Sequence, residues 1–261
     1  MTAPAGLHPT AQIDAGARLG DGTTVGAFSV IGRDVTVGPG CEIGPHAVVE
    51  GPTVMGARCR VFPFACIGMA PQDLKYRGER TTIEIGDDNI FREGVTVHRG
   101  TVGGGGVTRI GSGNLLMAQT HVAHDCRVGS QVIFANAATL AGHVVVEDGA
   151  TIGAFSGVHQ FCRVGAHAYI GGYSVITQDA LPYVLTVGNR AKSFGINMVG
   201  LERKQFAPEA IQALRQAYRI LFRSRLTLQE ALDRLQAEFP AQPEVQTLAA
   251  FIRGSRRGVI R

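Results

Sequence analysis

An aliphatic residue returns at every sixth position through most of this 261-residue chain. The beat runs Ile13, Leu19, Val25, Ile31, Val37, Ile43, Val49, Met55, Val61 and Ile67, and it resumes in phase at Ile85, Phe91 and Val97. After an insertion it continues from Ile110 in steps of six to Ile176, making twenty-five hexads. Four residues after each aliphatic sits a small one, as in Ala17, Thr23, Ser29, Cys41 and Ala47. A period of six does not fit a helix of about 3.6 residues per turn, but it fits a short strand followed by a tight corner. Three hexads close a triangular coil of 18 residues, with the aliphatic and the small residue pointing inward. Stacked coils share one narrow core, as in other solenoids. The fold class expected is mainly β: a left-handed parallel β-helix of hexapeptide repeats, followed by a small α-helical C-terminal domain.

The expected division is 1–182 for the β-helix and 183–261 for a linker and helical domain. Two excursions break the solenoid, near 70–81 (APQDLKYRGERT) and 100–109 (GTVGGGGVTR). The first keeps the hexad phase and so reads as replacing whole hexads. In the tail, Pro208 opens a helix with Ile211, Leu214, Tyr218, Leu221 and Phe222 on one face. Thr227 and Glu230 form a capping box for a second helix, and a third is expected over Pro243 to Arg253.

Composition narrows the function. No run of eighteen apolar residues predicts a membrane span, and the first residues lack the basic and apolar regions of a secretory signal. Five cysteines without framework spacing read as free thiols in a reducing cytoplasm. Cys41, Cys59, Cys126 and Cys162 all fall on the small inward position, as buried spacers. From Leu201 onward eleven Lys/Arg stand against six Asp/Glu, a balance of +5, which leaves −1 for the first 200 residues of a chain whose net charge is +4. That pattern lacks the long basic run of a nucleic-acid binder and suits an acidic partner docking near the tail. Arg215, Arg219 and Arg223 lie four apart and stack as a positive stripe, which is either a docking surface or a solvated face.

Six of the eight histidines lie between positions 98 and 167. By hexad register none of the candidates points into the core: His98 and His159 lie one step past the aliphatic, His124 two, His143 three and His121 five. The hexads VAHDCR, LAGHVV and VHQFCR start at 122, 140 and 158 and stack on one face, which gathers His124, Gly142, His143, His159 and Gln160, with His121 at the corner beside them. Counting back by coils leads to the glycine-rich loop near 103, then Ile85, then the loop after Ile67. Both loops are thereby expected to overhang this face, as over a binding site. Histidines strung along the coil axis suit a general base better than a shared metal, and no metal is expected. Asp125 could orient His124 only if the chain turns between them, because adjacent strand residues point apart. The Gly142 N–H could stabilise an oxyanion, or the glycine could serve only the corner.

The stretches PQDLKY (71–76), VTVHRGT (95–101), NLLMAQTHVAHDC (114–126), ATLAGHV (138–144), VHQFC (158–162) and FGINMVGL (194–201) resemble the UDP-N-acetylglucosamine O-acyltransferase family over essentially the whole chain. The resemblance implies a cytoplasmic homotrimer with sites between adjacent solenoids. It implies transfer of an (R)-3-hydroxyacyl group from acyl carrier protein to the sugar 3-hydroxyl of UDP-N-acetylglucosamine in lipid A biosynthesis, without a cofactor. It further implies His124 as base, Asp125 as its support and Gly142 as oxyanion donor. Substrate contacts would come from Gln72, Asp73, Lys75, His98, His121, His143, His159, Gln160, Asn197, Arg203 and Lys204, and Gly172 would set acyl length. Arg190, Val199 and Lys204 depart from the family pattern, where His, an acidic residue and Arg are common; Lys cannot make the bidentate contact of Arg. The nearest rival is the related N-acyltransferase of the same pathway, which carries an extra N-terminal uridine-binding domain where the hexads here begin by Ile13. Other rivals are a coenzyme A-dependent acetyltransferase, a zinc lyase of the γ-carbonic anhydrase type and a purely structural solenoid.

Overall fold

The computed structural model describes residues 6–261, so the first five residues of the expected solenoid span lie outside the described part. Among the described residues, every aliphatic beat from Ile13 to Ile176 falls in one of the first twenty-five strands, each two to four residues long. Strands six residues apart belong to different sheets, and strands eighteen apart pair in parallel, as Leu115↔Ile133 and Leu116↔Phe134 do. Three sheets of nine, eight and ten strands result, the faces of a left-handed parallel β-helix. Parallel ladders satisfy each short strand's backbone through the coils above and below it. The corners close with a left-handed residue three places after the aliphatic: Phe28 (φ 59°), His46 (φ 58°), Asp125 (φ 62°), His143 (φ 63°) and Phe161 (φ 65°) are examples. That conformation is unfavourable for non-glycine residues. It is held here by corner-to-corner hydrogen bonds such as His46 N to Ala27 O (2.9 Å) and His143 N to His124 O (3.0 Å).

The inward aliphatic and small side chains make one continuous core, in which Phe91 and Phe134 are the largest fully buried residues. Cys41, Cys59, Cys126 and Cys162 are buried in it. Burial, which disfavours a thiolate, pushes the Cys126 thiol up to about 12 and that of Cys162 up to about 11. Both stay neutral and inert, as spacers would.

The first excursion does not replace hexads. The strand Cys66–Met69 lies in the nine-stranded sheet and Thr82–Ile85 in the eight-stranded one, so 70–81 is a loop inserted at a single corner. It is two hexads long, which keeps the count while skipping no face. Ile85 therefore lies on a different face from the histidines. The strand stacked below His121–Val122 is Thr96–His98 (Thr96↔His121, Val97↔Val122), and below that lies Cys66–Met69. Both insertions leave the same edge, between the nine- and eight-stranded sheets, in successive coils.

The stretch after 182 is not a linker. Val184–Val187 continues the ten-stranded sheet in parallel with Tyr169–Ile170, and Lys192–Ile196 folds back against it antiparallel. Neither strand carries the hexad beat. Four helices follow: α1 (Met198–Arg203), α2 (Pro208–Arg223), α3 (Leu228–Glu238) and α4 (Pro243–Arg253). α2 begins at Pro208 and buries Ile211, Leu214, Tyr218 and Leu221. The Thr227–Glu230 capping box opens α3. A second apolar cluster joins the helices to Leu181, Tyr183 and Val184, and the chain end returns to the solenoid through Ile260 N to Asp179 O (2.9 Å). No helix among the described residues is long and apolar enough to cross a membrane.

Phe134→Ala should open a cavity in the solenoid core and cost about 3–5 kcal/mol, read as a lower denaturant midpoint with the strand content intact.

Candidate active site

The histidine-bearing face ends in a corner, and this resolves the geometry of His124 and Asp125. His124 follows the strand His121–Val122, and the left-handed backbone of Asp125 turns its carboxylate back towards the preceding ring. His124 Nδ1 lies 2.8 Å from Asp125 Oδ2. The Asp125 side chain is fully buried, and its charge is matched by donors: Thr101 N reaches Oδ1 at 2.8 Å and the Thr101 hydroxyl reaches Oδ2 at 2.6 Å. Its own N–H donates to Thr108 Oγ1 (2.8 Å). Thr101 caps a one-turn 3₁₀ helix, Val102–Gly104, inside the glycine-rich insertion, and accepts from Gly104 N at 3.2 Å. Gly104 lies so close that a Cβ there would strike the Asp125 carboxylate.

Gly142 stacks one coil above His124. A Cβ at Gly142 would come within 2.6 Å of His124 Cε1 and 2.9 Å of Nε2, so only glycine leaves the ring its place and the backbone N–H open beside it. His143 occupies the next corner, edge-on to His124 at 5.2 Å and stacked on Phe161 at 4.5 Å. Its Nε2 is 3.7 Å from Asp125 Oδ2. Burial holds the His143 imidazole below its ordinary range, partly opposed by the Asp125 charge. His121 pairs through Nδ1 with Thr96 Oγ1 (2.7 Å) and meets His98 edge-on at 5.0 Å; burial lowers it too. His98 is outside the β-helix core yet buried. Burial first, then the neighbouring His121, His124 and Arg99, push it down to about 4.

His124, Asp125 and His143 have ligand-capable atoms within 4.8 Å of one another. His143, not His121, is thus the imidazole that converges with His124. Asp125 Oδ2 already accepts from Thr101 and faces His124 Nδ1, an arrangement that suits proton transfer better than coordination.

The remaining sequence candidates divide. His159 and Gln160 sit exposed one coil further on, with His159 Nδ1 3.1 Å from Gln160 O. Gln72, Asp73 and Lys75 ride on the first loop; Gln72 and Lys75 are exposed, and Asp73 accepts from Lys75 N (2.9 Å). Asp73 lies near enough to His143 for its charge to favour the imidazolium there. Asn197, Arg203 and Lys204 are elsewhere. With His167 and Tyr169 they line a cavity of about 660 Å³ against the ten-stranded sheet. Asn197 also caps α1, accepting from Gly200 N (3.2 Å), and donates to His167 O (3.0 Å). Gly172 is exposed at the corner between the ten- and nine-stranded sheets. Arg190 and Val199 are exposed.

Sequence reasoning missed Thr101, Gly104 and Thr108, which hold Asp125, and Arg99, which anchors the first loop. Arg99 Nη1 donates to Gly51 O and Gly68 O, both at 2.7 Å, and Nη2 to the Tyr76 hydroxyl at 3.1 Å. The available signal was Thr101 ahead of a glycine run, an N-cap pattern.

Because His98 titrates at about 4 when folded against 6.5 ordinarily, the unfolded chain takes up this proton first. Stability contributed by the neutral ring is therefore lost as pH falls from about 6.5 to 4. His98→Gln should flatten this acid slope in melting temperature, leaving the smaller same-direction parts from His121 and His143.

A family profile described as UDP N-acetylglucosamine O-acyltransferase, domain 2, matches residues 179–260, and one for bacterial transferase hexapeptide repeats matches 16–51 and 143–178. The acyl-[acyl-carrier-protein]–UDP-N-acetylglucosamine O-acyltransferase of Alkalilimnicola ehrlichii is 52% identical over 255 residues, 98% of this chain and 99% of that protein. The solved structure of the corresponding protein from Acinetobacter baumannii superposes with TM-score 0.95 at 44% identity, covering 98% and 100% of the two chains. That of the Francisella novicida UDP-N-acetylglucosamine acyltransferase gives 0.95 at 35%, covering 98% and 94%.

Proposed function

The chain belongs to the acyl-[acyl-carrier-protein]–UDP-N-acetylglucosamine O-acyltransferase family, and from that premise we propose how its residues carry out the reaction. It is an acyltransferase of lipid A biosynthesis that takes an acyl group from acyl carrier protein and gives it to UDP-N-acetylglucosamine. The acyl group is an (R)-3-hydroxyacyl chain and the acceptor is the sugar 3-hydroxyl.

The observation that carries the mechanism is the 2.8 Å contact of His124 Nδ1 with a buried carboxylate that other groups already donate to. An ionised Asp125 only accepts hydrogen bonds, so Nδ1 carries the proton and Nε2 is free as the base. Nε2 removes the proton from the 3-hydroxyl as its oxygen attacks the thioester carbonyl. The Gly142 N–H faces the oxyanion that forms. Collapse breaks the carbon–sulfur bond, and the imidazolium returns the proton to the departing thiol. Asp125 supports the positive charge on His124 meanwhile. The step balances with no cofactor. His98, His121, His143, His159 and Gln160 contact the substrates around this centre, and Gln72, Asp73 and Lys75 close over it.

A homotrimer explains why the candidates divide between two faces. Prisms packed around a threefold axis would set the nine-stranded face of one chain against the ten-stranded face of the next, bringing a partner's copy of the Asn197–Arg203–Lys204 cavity to His124. The edge between those two faces supports this packing. It exposes stacked aromatics, Phe28–His46 (5.2 Å), His46–Phe64 (5.3 Å) and Phe155–Tyr173 (5.1 Å), with Tyr173 71% exposed. Exposed apolar rows of this kind mark interaction surfaces. Gly172, on the same edge, leaves room for a long acyl chain. Catalysis belongs to the solenoid, 1–182, and carrier recognition to 183–261, where Arg215, Arg219 and Arg223 lie exposed on α2 and meet the acidic carrier protein. The enzyme works in the cytoplasm, where acyl carrier protein is found.

His124→Ala should lower kcat/KM by about 10²–10⁴-fold, the usual worth of a general base, with the melting temperature retained; full turnover would remove the base assignment. Charge reversal at Arg215, Arg219 and Arg223 should raise KM for the acyl carrier protein and weaken its salt dependence, with KM for the sugar nucleotide unchanged. An unchanged carrier KM would reduce the stripe to a solvated face.

A further inference from the structure

We propose that Thr101 is a positioning residue for the transfer: its hydroxyl, acting through Asp125, fixes the ring and tautomer of His124. The inference rests on His124 being the base. It makes the glycine-rich insertion part of the catalytic apparatus.

Asp125 Oδ2 has two imidazoles within reach, His124 Nδ1 at 2.8 Å and His143 Nε2 at 3.7 Å. A carboxylate free to rotate would divide itself between them, and each choice sets a different tautomer on His124. Thr101 removes the choice. Its backbone N–H holds Oδ1 and its hydroxyl holds Oδ2, which pins the carboxylate plane from one residue. The hydroxyl has a single proton, and its oxygen already accepts from Gly104 N at 3.2 Å, so that proton is directed to Asp125. The chain of donors runs from Gly104 N–H to the Thr101 hydroxyl to Oδ2, with His124 Nδ1–H arriving from the other side. The two groups at hydrogen-bonding distance from Oδ2, the Thr101 hydroxyl and His124 Nδ1, then both donate to it, which fixes the proton of the His124 ring on Nδ1. Gly104 completes the cradle, because only a residue without Cβ can sit against this carboxylate. The backbone of Asp125 is held independently by Thr108, so loss of the Thr101 hydroxyl would free the carboxylate to turn while leaving its Cα in place.

The test is a double-mutant cycle on the full chain with acyl carrier protein donor and UDP-N-acetylglucosamine. Thr101→Val keeps the shape and the backbone donor and removes the hydroxyl. It should lower kcat by about 10–100-fold, the scale of a misplaced catalytic group, with both KM values within about 2-fold. Thr101→Ser should restore kcat to within a few-fold. In an Asp125→Asn background, Thr101→Val should add nothing, because the hydroxyl has no other route to His124. Wild-type kcat in Thr101→Val, failure of Thr101→Ser to rescue, or an additive loss on top of Asp125→Asn would each overturn the proposal. Should Thr101→Val not fold, as judged by its melting curve, Thr101→Cys replaces it in the same cycle, since a thiol is a weak donor of similar size. His124→Ala run alongside separates the two readings: activity surviving there defeats the base assignment, whereas a dead His124→Ala beside an unaffected Thr101→Val defeats the Thr101 role alone.

Discussion

Each coil of the solenoid is hydrogen-bonded to the coil above and the coil below, and this pairing fixes both the height and the face of every residue once the hexad phase is set. A strand of two residues cannot stand alone, since it buries little and leaves most of its backbone polar groups to neighbours. The stack supplies those partners at every level. It also holds corner residues in a left-handed conformation that few side chains adopt unaided. The His124–Asp125 contact depends on that: in an extended strand the two side chains would point apart, and at the corner they meet.

The electrostatic design follows from unequal burial. His98, His121 and His143 are all held below their ordinary range, chiefly by desolvation, and remain neutral. Only His124 has a carboxylate at hydrogen-bonding distance, and that carboxylate is itself surrounded by donors. A crowd of imidazoles thereby resolves into one ring paired with a buried carboxylate and several neutral ones.

The solenoid was legible in the sequence because its constraint is strictly periodic: every aliphatic beat coincides with a strand. The clustering of His124, Gly142 and His143 was legible for the same reason. Counting failed where the chain left the lattice. The insertion at 70–81 has the length of two hexads, so phase survived while the assignment of Ile85 to the histidine face did not. Val184–Val187 and Lys192–Ile196 were read as linker because neither carries the hexad beat, although the first extends the ten-stranded sheet in parallel and the second folds back on it antiparallel. Thr101 was invisible as a site residue because its partner lies twenty-four positions on, across a loop whose path no repeat dictates. Asp125 was left open by strand geometry, and its left-handed φ closed the question.

A histidine and its carboxylate partner that are consecutive in the chain, proposed above as base and support, have a consequence for how the protein acquires and keeps its chemistry. In a triad assembled from distant segments, the whole domain must close before the groups meet. Here the pair is complete once one coil has stacked and one loop has settled over it, because in a stacked array stability is transmitted between neighbours rather than globally. Fraying at the far end of the prism, or rearrangement of the helices that follow it, leaves the pair untouched. The helical tail is thereby free to diverge in sequence without disturbing the contact between His124 and Asp125.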